Sequence, residues 1–362
     1  MPRPEFLRRA GLWARALLTA AGLVFATPVI AGPQDLPDLT GNAFLSSSDR
    51  LRIRAFGAGL EAGTLSPEAV AFLRRDLLAQ GYGVGQGQLQ ITARRLSFAP
   101  VLGWDGNING GVLQDRLVLG GYVLEADPAF RAKSGLVLGG SLGAMTRLAW
   151  GEGRVFELAM SGELAWSPRH EIGRGDAALS LCSRNHLQNW FFLDLCALGA
   201  RSWRQLDTGN AHRLSLGISK IIAGAGGLQE LGLRYDRASA AGGAQDRLRL
   251  SAERISRAGV LDLALTLGEG RDDETLLRRR IEAGFAWQGF GRDWRFDLWQ
   301  QEAEGGAFLS TPRRDRARGF GLMVSLKPGV SMRIGATSSR STAQIAHYDQ
   351  LRFDLRFGDL LR

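Results

Sequence analysis

Short stretches of this chain alternate apolar and polar residues with a period of two. The run at 351–357 shows the pattern best, with Leu351, Phe353, Leu355 and Phe357 apolar and Arg352, Asp354 and Arg356 charged. Successive side chains of a β-strand point to opposite faces, so such a run gives a strand with one apolar and one charged face. Fourteen stretches of this kind predict strands near 93–104, 135–149, 154–166, 175–183, 190–203, 211–222, 228–238, 246–256, 259–268, 277–289, 293–303, 317–327, 329–339 and 346–358.

The repetition predicts an all-β fold, a closed antiparallel transmembrane β-barrel of about 14 strands over residues 89–362. A soluble sandwich also alternates apolar and polar residues, but it does not need closure. In lipid an open sheet edge leaves backbone groups unpaired, at several kcal/mol each. Short connections alternate with longer polar ones, as in bacterial barrels with periplasmic turns and external loops. Tryptophans near strand ends fit interfacial girdles or an ordinary core, namely Trp104, Trp150, Trp166, Trp190, Trp287 and Trp294.

The N-terminus carries the longest apolar run of the sequence, at 16–31. Four arginines precede the run, and it ends in Val29-Ile30-Ala31, a small-residue cleavage site. We interpret residues 1–31 as a signal peptide, with an uncleaved anchor as the alternative. An exported chain with an even number of strands is predicted to lie in the bacterial outer membrane, with its N-terminal segment in the periplasm.

Residues 32–88 are predicted to form a periplasmic leader, with no fold assigned to 32–45. A helical hairpin follows between Asp49 and Gln80, and its second helix opens with Ser66 as N-cap and Pro67 at the first helical position. The apolar stripe of that helix is Val70, Leu73, Leu77 and Leu78. The glycines at positions 81, 83, 85 and 87 predict a flexible linker rather than a phosphate-binding loop, since no strand precedes them.

Composition narrows the choice of partner. Apolar residues make up 45% and charged residues 22% of the 362 residues, which is ordinary for a folded chain and hides a barrel, whose strands are half apolar. The formal charge is +9; four arginines and one glutamate of the signal peptide supply +3 of it, leaving +6. The basic residues are dispersed beside acids along alternating strands, which argues against nucleic acid as a partner. Outer-membrane lipid is the expected partner.

The inward-facing charges are the main candidates for function. They can tune solute selectivity in a wet pore, or they can pair between strands and stiffen the wall, and both roles are compatible. The pore-lining candidates are Arg247, Arg249, Glu253, Arg280, Glu282, Arg295, Asp297, Arg333, Arg352, Asp354 and Arg356.

Cys182 and Cys196 are the only cysteines, and a hairpin centred on residue 189 places them directly opposite each other. An oxidising compartment then favours a cross-strand disulfide, with two free thiols as the alternative. No fourth ligand accompanies them, so no metal site is predicted, and no cofactor is expected. Among four histidines, only His186 lies near a serine and an amide, Ser183 and Asn185; a turn position makes it a loop histidine, so no enzyme is predicted.

One short motif follows the first strand: Trp104, Asp105, Asn107 and Asn109, in the sequence Trp-Asp-Gly-Asn-Ile-Asn. With a helical segment before a barrel of about fourteen strands, it resembles the C-terminal outer-membrane β-barrel domain of the surface lipoprotein assembly modifier family. The resemblance implies translocation of proteins or lipoproteins, which would then be cargo. We therefore expect a barrel for transport or export. The alternatives are a passive anion-preferring channel and a structural barrel plugged by its N-terminal helices.

Overall fold

A computed structural model describes residues 39–85, 87–119, 122–224, 226–240 and 243–357. The predicted signal peptide lies outside the described residues. Within them, three α-helices precede the strands: α1 (Thr40–Ala43), α2 (Asp49–Glu61) and α3 (Pro67–Ala79). The strands are β1 (Gln90–Asp105), β2 (Arg116–Leu119), β3 (Tyr122–Glu125), β4 (Gly135–Gly151), β5 (Arg154–Ser167), β6 (Ile172–Gln188), β7 (Phe191–Trp203), β8 (Thr208–Gly224), β9 (Gly227–Ala240), β10 (Gly243–Ser256), β11 (Gly259–Gly268), β12 (Leu276–Gly289), β13 (Arg292–Phe308), β14 (Thr311–Lys327), β15 (Val330–Ser341) and β16 (Tyr348–Phe357).

Fourteen strands in the described part of the chain, β1 and β4 to β16, form one closed antiparallel barrel. Each strand pairs with the next along the chain, and β1 also pairs with β16, from Val101 opposite Arg356 to Trp104 opposite Phe353. Closure leaves no open edge, which is the condition for a sheet in hydrocarbon. The predicted fold class is confirmed. The connection from β1 to β4 also holds the small hairpin β2–β3, which the alternation did not predict.

The barrel turns its apolar side chains outward. Large hydrophobic side chains that are exposed in the structure recur at every second position, as at Leu138, Leu142, Phe156, Leu158, Leu214 and Leu216. This continuous apolar surface is what a bilayer requires. Trp287 and Trp294 stack side by side on it, with ring centroids 6.1 Å apart. Trp190 is different, because its ring packs against the guanidinium of Arg54 in α2 and so belongs to the interior, not to a girdle.

The two ends of the barrel differ. At one end, which we call the turn end, two-residue connections join β4 to β5, β6 to β7, β8 to β9, β10 to β11, β12 to β13 and β14 to β15. The start of β1 and the end of β16 lie at this end too. The opposite end, the loop end, carries the 29-position connection between Asp105 and Gly135 and the other six connections, of 2 to 7 residues. Since β1 starts at the turn end, the helices that precede it enter the lumen of the barrel from that end.

Local sequence explains the helices. Ser48 caps α2 by accepting from the Leu51 amide, and Ser66 caps α3 with Pro67 at its first position, as predicted. Gly81, at φ 78°, follows the end of α3, where a Cβ would lie only 3.0 Å from Ala149 and 3.1 Å from Val155, so glycine suits this position best. None of the described helices combines the length and apolarity needed to cross a membrane.

Two sequence predictions about this segment need correction. The sequence predicts a flexible leader at 32–45 and assigns no fold to it, yet residues 40–43 form α1, and Leu39 and Ala43 are buried. Contact with the barrel wall, which local sequence does not encode, orders this turn. Leu78 was placed in the apolar stripe of α3, but half of it is exposed, and Ala69 is buried instead.

Candidate functional site

The helices lie inside the barrel at its turn end, as a plug. Their polar contacts reach side chains on β4, β7, β9 and β10, which are far apart around the circumference. These contacts come from four consecutive residues, Ser47 to Arg50, which can reach all four strands only from inside the lumen. The candidate site therefore consists of the lumen wall and of the plug that narrows the lumen.

The loop before α2 is held by two wall carboxylates. The backbone amide of Ser47 donates to Glu253 Oε1 at 2.9 Å, the Ser47 hydroxyl to Oε2 at 2.5 Å, and the hydroxyl of Ser46 also donates to Oε1. Ser48 donates to Glu230 on the neighbouring strand. Hydrogen bonds to an ionised carboxylate are about twice as strong as neutral ones. We call Glu253, Glu230 and Ser46 to Ser48 the latch.

A second polar contact fixes the first turn of α2. The guanidinium of Arg50 donates both terminal nitrogens to Asp194 of β7, at 2.8 and 2.5 Å. The same group lies over the ring of Phe192, 4.2 Å from its centroid. Arg50 is only 8% exposed, whereas the Asp194 side chain is 32% exposed. Losing Asp194 would therefore leave the buried guanidinium of Arg50 uncompensated.

Asp49 connects the plug to the opposite wall. Its carboxylate accepts from Arg147 of β4 at 2.9 Å and from Arg52 of α2 at 2.7 Å. Arg147 also pairs with Glu157 of β5 at 2.7 Å. Burial opposes ionisation of Asp49, but the guanidinium groups of Arg147 and Arg52 outweigh it, so the pKa of Asp49 lies below its ordinary value. The plug is thus tied to the wall through charges that persist at neutral pH.

Apolar packing completes the seat of the plug. Leu51 and Phe56 of α2 are fully buried, together with Ala69 of α3. The wall side of this core lies near the turn end and comprises Phe192, Ile221, Leu228, Ile255, Val260 and Ala286. These wall residues interrupt the polar lumen pattern only where the helices cover them. The plug and the wall therefore share one core.

Beyond the plug the lumen opens into a cavity of about 1090 Å³. Nine arginines and eight carboxylates line it. Seven of the predicted pore-lining residues are among them: Arg249, Glu253, Arg280, Glu282, Arg295, Asp297 and Arg333. By strand parity the other four candidates also face the lumen, but they lie outside this cavity: Arg247, Arg352, Asp354 and Arg356. Their role in conduction stays a prediction.

Most lumen charges form pairs. Glu282 accepts from Arg280 at 3.0 Å and also from Arg249, and Arg295 bridges Asp262 and Asp297, at 2.9 Å each. Such pairs support the wall-stiffening interpretation. In the part of the chain that the structure describes, Arg213 and Arg333 line the cavity with no carboxylate within 4.0 Å. Positive charge at these two positions is available to a solute.

Several lumen charges were not among the sequence candidates, namely Arg147, Glu157, Asp194, Arg213, Glu230, Arg234 and Asp262. The period-two pattern of their strands contains them, and following parity through 145–157, 191–203, 213–236 and 259–268 would have found them. The coupling of Arg147, Asp194 and Glu230 to the plug has no local sequence signal, because it joins positions 98 to 182 residues apart.

The Trp-Asp-Gly-Asn-Ile-Asn motif organises the loop end. Asp105 accepts from Arg174 at 2.9 Å, and Asn109 donates to the carbonyl of Arg131 and accepts from the Lys133 amide, both at 2.8 Å. Ile108 is fully buried against Val137 and neighbouring wall residues. Asn107 exchanges two hydrogen bonds with Gly111, while Trp104 points outward, 45% exposed. The motif therefore folds the long loop inward over the barrel mouth.

The structure also shows the surroundings of the cysteine pair and of His186. Cys182 and Cys196 are register partners and form the predicted disulfide, which lines the cavity. His186 does not contact Ser183 through a hydrogen bond; the Ser183 hydroxyl and Asn185 bond each other. The imidazole packs among aromatic rings, with Phe192 5.0 Å and Tyr82 5.6 Å away. No group of three or more metal-ligating side chains is formed by the described residues.

Comparison with known proteins adds little to this geometry. The sequence matches no protein-family model and no curated protein. Pseudomonas aeruginosa OccK2 (OpdF), solved in complex with glucuronate, is 10% identical with a TM-score of 0.40, over 74% of this chain and 98% of that chain. Acinetobacter baumannii OccAB1 is 8% identical with a TM-score of 0.38, over 77% and 98%. Pseudomonas putida OprB is 9% identical with a TM-score of 0.40, over 72% and 93%. At these values the barrel assignment rests on the strand pairing of this chain itself.

Proposed function

We propose that this chain is an outer-membrane channel for small anionic solutes, narrowed at its turn end by its own N-terminal helices. The observation that carries the proposal is the uneven placement of the plug. The anchoring contacts of its helices and of the loop before α2 fall on β1, on β4 and on β7 to β12. The lumen faces of β13 to β16 lie on the other side of the barrel, and arginines line them.

This uncovered wall has the chemistry of an anion path. Arg356, Arg333 and Arg352 follow one another toward the loop end along β15 and β16, since Arg356 pairs with Ser331, Asp354 with Arg333 and Arg352 with Gly335. Steps of two residues separate them by about 6.6 Å. Gly321 and Gly335 face the lumen beside them and leave space. With Arg295 and Asp297, this set holds four arginines and two carboxylates. By the same parity Asp293, Arg313 and Asp315 also face the lumen, so the surplus over all of these is one positive charge.

Translocation of proteins or lipoproteins, the function that the family resemblance implies, is less well supported. The residues that carry the resemblance hold the long loop in place, which is a structural role. The latch and the shared core hold the plug in the lumen, so a polypeptide would have to displace both. A small solute needs only the uncovered wall.

Orientation forms part of the same proposal. The two-residue connections, the start of β1 and the end of β16 all lie at the turn end. In bacterial barrels the end with short turns faces the periplasm. The plug would then lie on the periplasmic side, and the long loop with its Asn109 anchor on the outer surface.

Planar-bilayer recording tests the channel function. Under a KCl gradient, the reversal potential should show chloride permeating more readily than potassium, and an Arg333→Gln variant should lower that preference. Arg237→Gln is the matched control, because Arg237 lies on the outer face of β9, where it pairs with Asp246. Absence of conductance in the folded protein, or equal selectivity in wild type and Arg333→Gln, would contradict the proposal.

A further inference from the structure

The outer surface of β12 to β16 carries a groove that the channel function does not use. We propose that it binds one lipid, with an acyl chain in the groove and an anionic phosphate headgroup on the arginines at its loop-end rim. The inference depends on the barrel lying in a membrane and is independent of what passes through the lumen.

Strand register builds the groove from two outward-facing rows. The row nearer the turn end is apolar: Ala283, Leu298, Phe320, Ala336 and Leu351. The next outward row toward the loop end is polar except at its first position: Ile281, Gln300, Arg318, Ser338 and Asp349. These two rows line a groove of about 730 Å³.

The shape suits an acyl chain. Ala336 lies between Phe320 and Leu351 in the apolar row, so a small residue separates two large ones. Phe320 is 46% and Leu351 72% exposed, and both therefore offer apolar surface to a ligand. A single methyl group at the centre leaves a slot between the two walls. Lipid tails gain by filling such a slot, since packing against protein replaces a void.

The rim supplies the charge. A third outward row holds Arg279, Glu302, Arg316 and Arg340, directly beyond Arg318. Glu302 pairs with Arg279 at 3.3 Å and Arg316 at 3.5 Å, and Asp349 pairs with Arg340 at 3.0 Å. Four arginines against Glu302 and Asp349 leave two positive charges. Guanidinium groups bind phosphate in bidentate fashion, and clustered arginines at headgroup level attract anionic lipids.

The location selects a lipid over a free anion. The arginines border the apolar belt on its loop-end side, where lipid headgroups meet the barrel. A free phosphate would use the rim without the groove, whereas a lipid uses both. The two halves of the site can therefore be tested separately.

Native mass spectrometry of the full chain in detergent, with added dioleoyl phosphatidylglycerol or dioleoyl phosphatidylcholine, provides the measurement. We expect one phosphatidylglycerol to bind at least about tenfold more tightly than phosphatidylcholine. An Arg316→Gln/Arg318→Gln double variant should lose that preference. Ala336→Phe should weaken both lipids by filling the slot, with the arginines intact. Arg237→Gln on β9 should bind as wild type does, and heat-modifiable gel migration confirms that each variant is folded.

Four results would overturn the inference. Equal binding of the two lipids to wild type would show that the arginines at the rim do not distinguish an anionic headgroup from a zwitterionic one. Unchanged binding in the double variant would assign those arginines to cross-strand pairing alone. Displacement of the lipid by inorganic phosphate at equal concentration, or no effect of Ala336→Phe, would show that the groove holds no acyl chain.

Discussion

Deleting the plug gives the most direct test of how the lumen is used. Fourteen strands spaced about 4.8 Å apart and tilted by about 40° make a wall of about 88 Å circumference, and a radius of about 14 Å. Inward side chains occupy about 5 Å of that radius, which leaves a lumen about 18 Å wide. An α-helix with its side chains is about 10 to 12 Å in diameter. At the lower diameter, two helices side by side along the lumen fill about two thirds of its cross-section.

We predict that removing residues 46–79 raises single-channel conductance about threefold, because the conductance of a wide aqueous pore scales with its open area. Purified wild type and deletion variant are compared in planar bilayers at 1 M KCl on the order of 100 mV. Arg74→Gln is the control, since Arg74 lies on the exposed face of α3. Its conductance should equal that of wild type.

The fold of the deletion variant must be shown independently. The strand ladder closes without the helices, so heat-modifiable migration should be retained. Equal conductance in a folded deletion variant would refute the reasoning, because it would mean that the helices do not limit the open area. A fall in conductance would also refute it.

Three further variants probe the plug and the wall. Glu253→Gln removes the carboxylate that accepts from Ser46 and Ser47 and should lower the free energy that holds the plug against the wall by about 2 to 3 kcal/mol. Amide hydrogen exchange at 46–61 should become faster in this variant, and it should stay unchanged in the control Glu68→Gln. Asp49 has a lowered pKa in the folded state, so its contribution to holding the plug in place is complete above the unfolded pKa of 3.8 and is lost as the pH falls below that value. The conductance of wild type should therefore rise in this pH range, and that of Asp49→Asn should change less. Cys182→Ser opens a cross-link spanning 14 residues and should lower the unfolding free energy by about 3 kcal/mol, with conductance unchanged; an unchanged thermal midpoint would contradict this.

Period-two patterns predict the barrel because lipid acts on every strand separately. Leu351 and Phe353 must face hydrocarbon, whatever their neighbours are, so a local pattern carries the information. Closure follows, because β1 and β16 would otherwise expose backbone groups to lipid. The disulfide was predictable for a similar reason, since the register of one hairpin sets Cys182 opposite Cys196.

The plug could not be located from the same reasoning. The helices themselves are local, and Ser66 with Pro67 identifies the start of α3. Their position depends on contacts such as Arg50 with Asp194, 144 residues away, and neither residue differs from an ordinary surface charge in sequence. Strand parity shows that Asp194 faces inward, but not which group meets it there. The sequence leaves Trp190 open between a girdle and the interior because it lies at a strand end, and the contact with Arg54 shows that it lies in the interior.

The plug also sets the charge of the lumen, which links its two proposed effects. Asp194, Glu230 and Glu253 all face the lumen near the turn end, and each accepts hydrogen bonds from the helices or the loop before them. Removing the helices uncovers these three carboxylates and takes away Arg50. It also takes away Asp49, which leaves Arg147 paired with Glu157 alone. The arginines of β15 and β16 stay in place, so three carboxylates are uncovered against one arginine. Anion preference should therefore fall while conductance rises. Simple widening of a uniformly basic pore would leave more anion selectivity than this, so measuring both quantities on the same deletion variant separates a charged plug from an inert one.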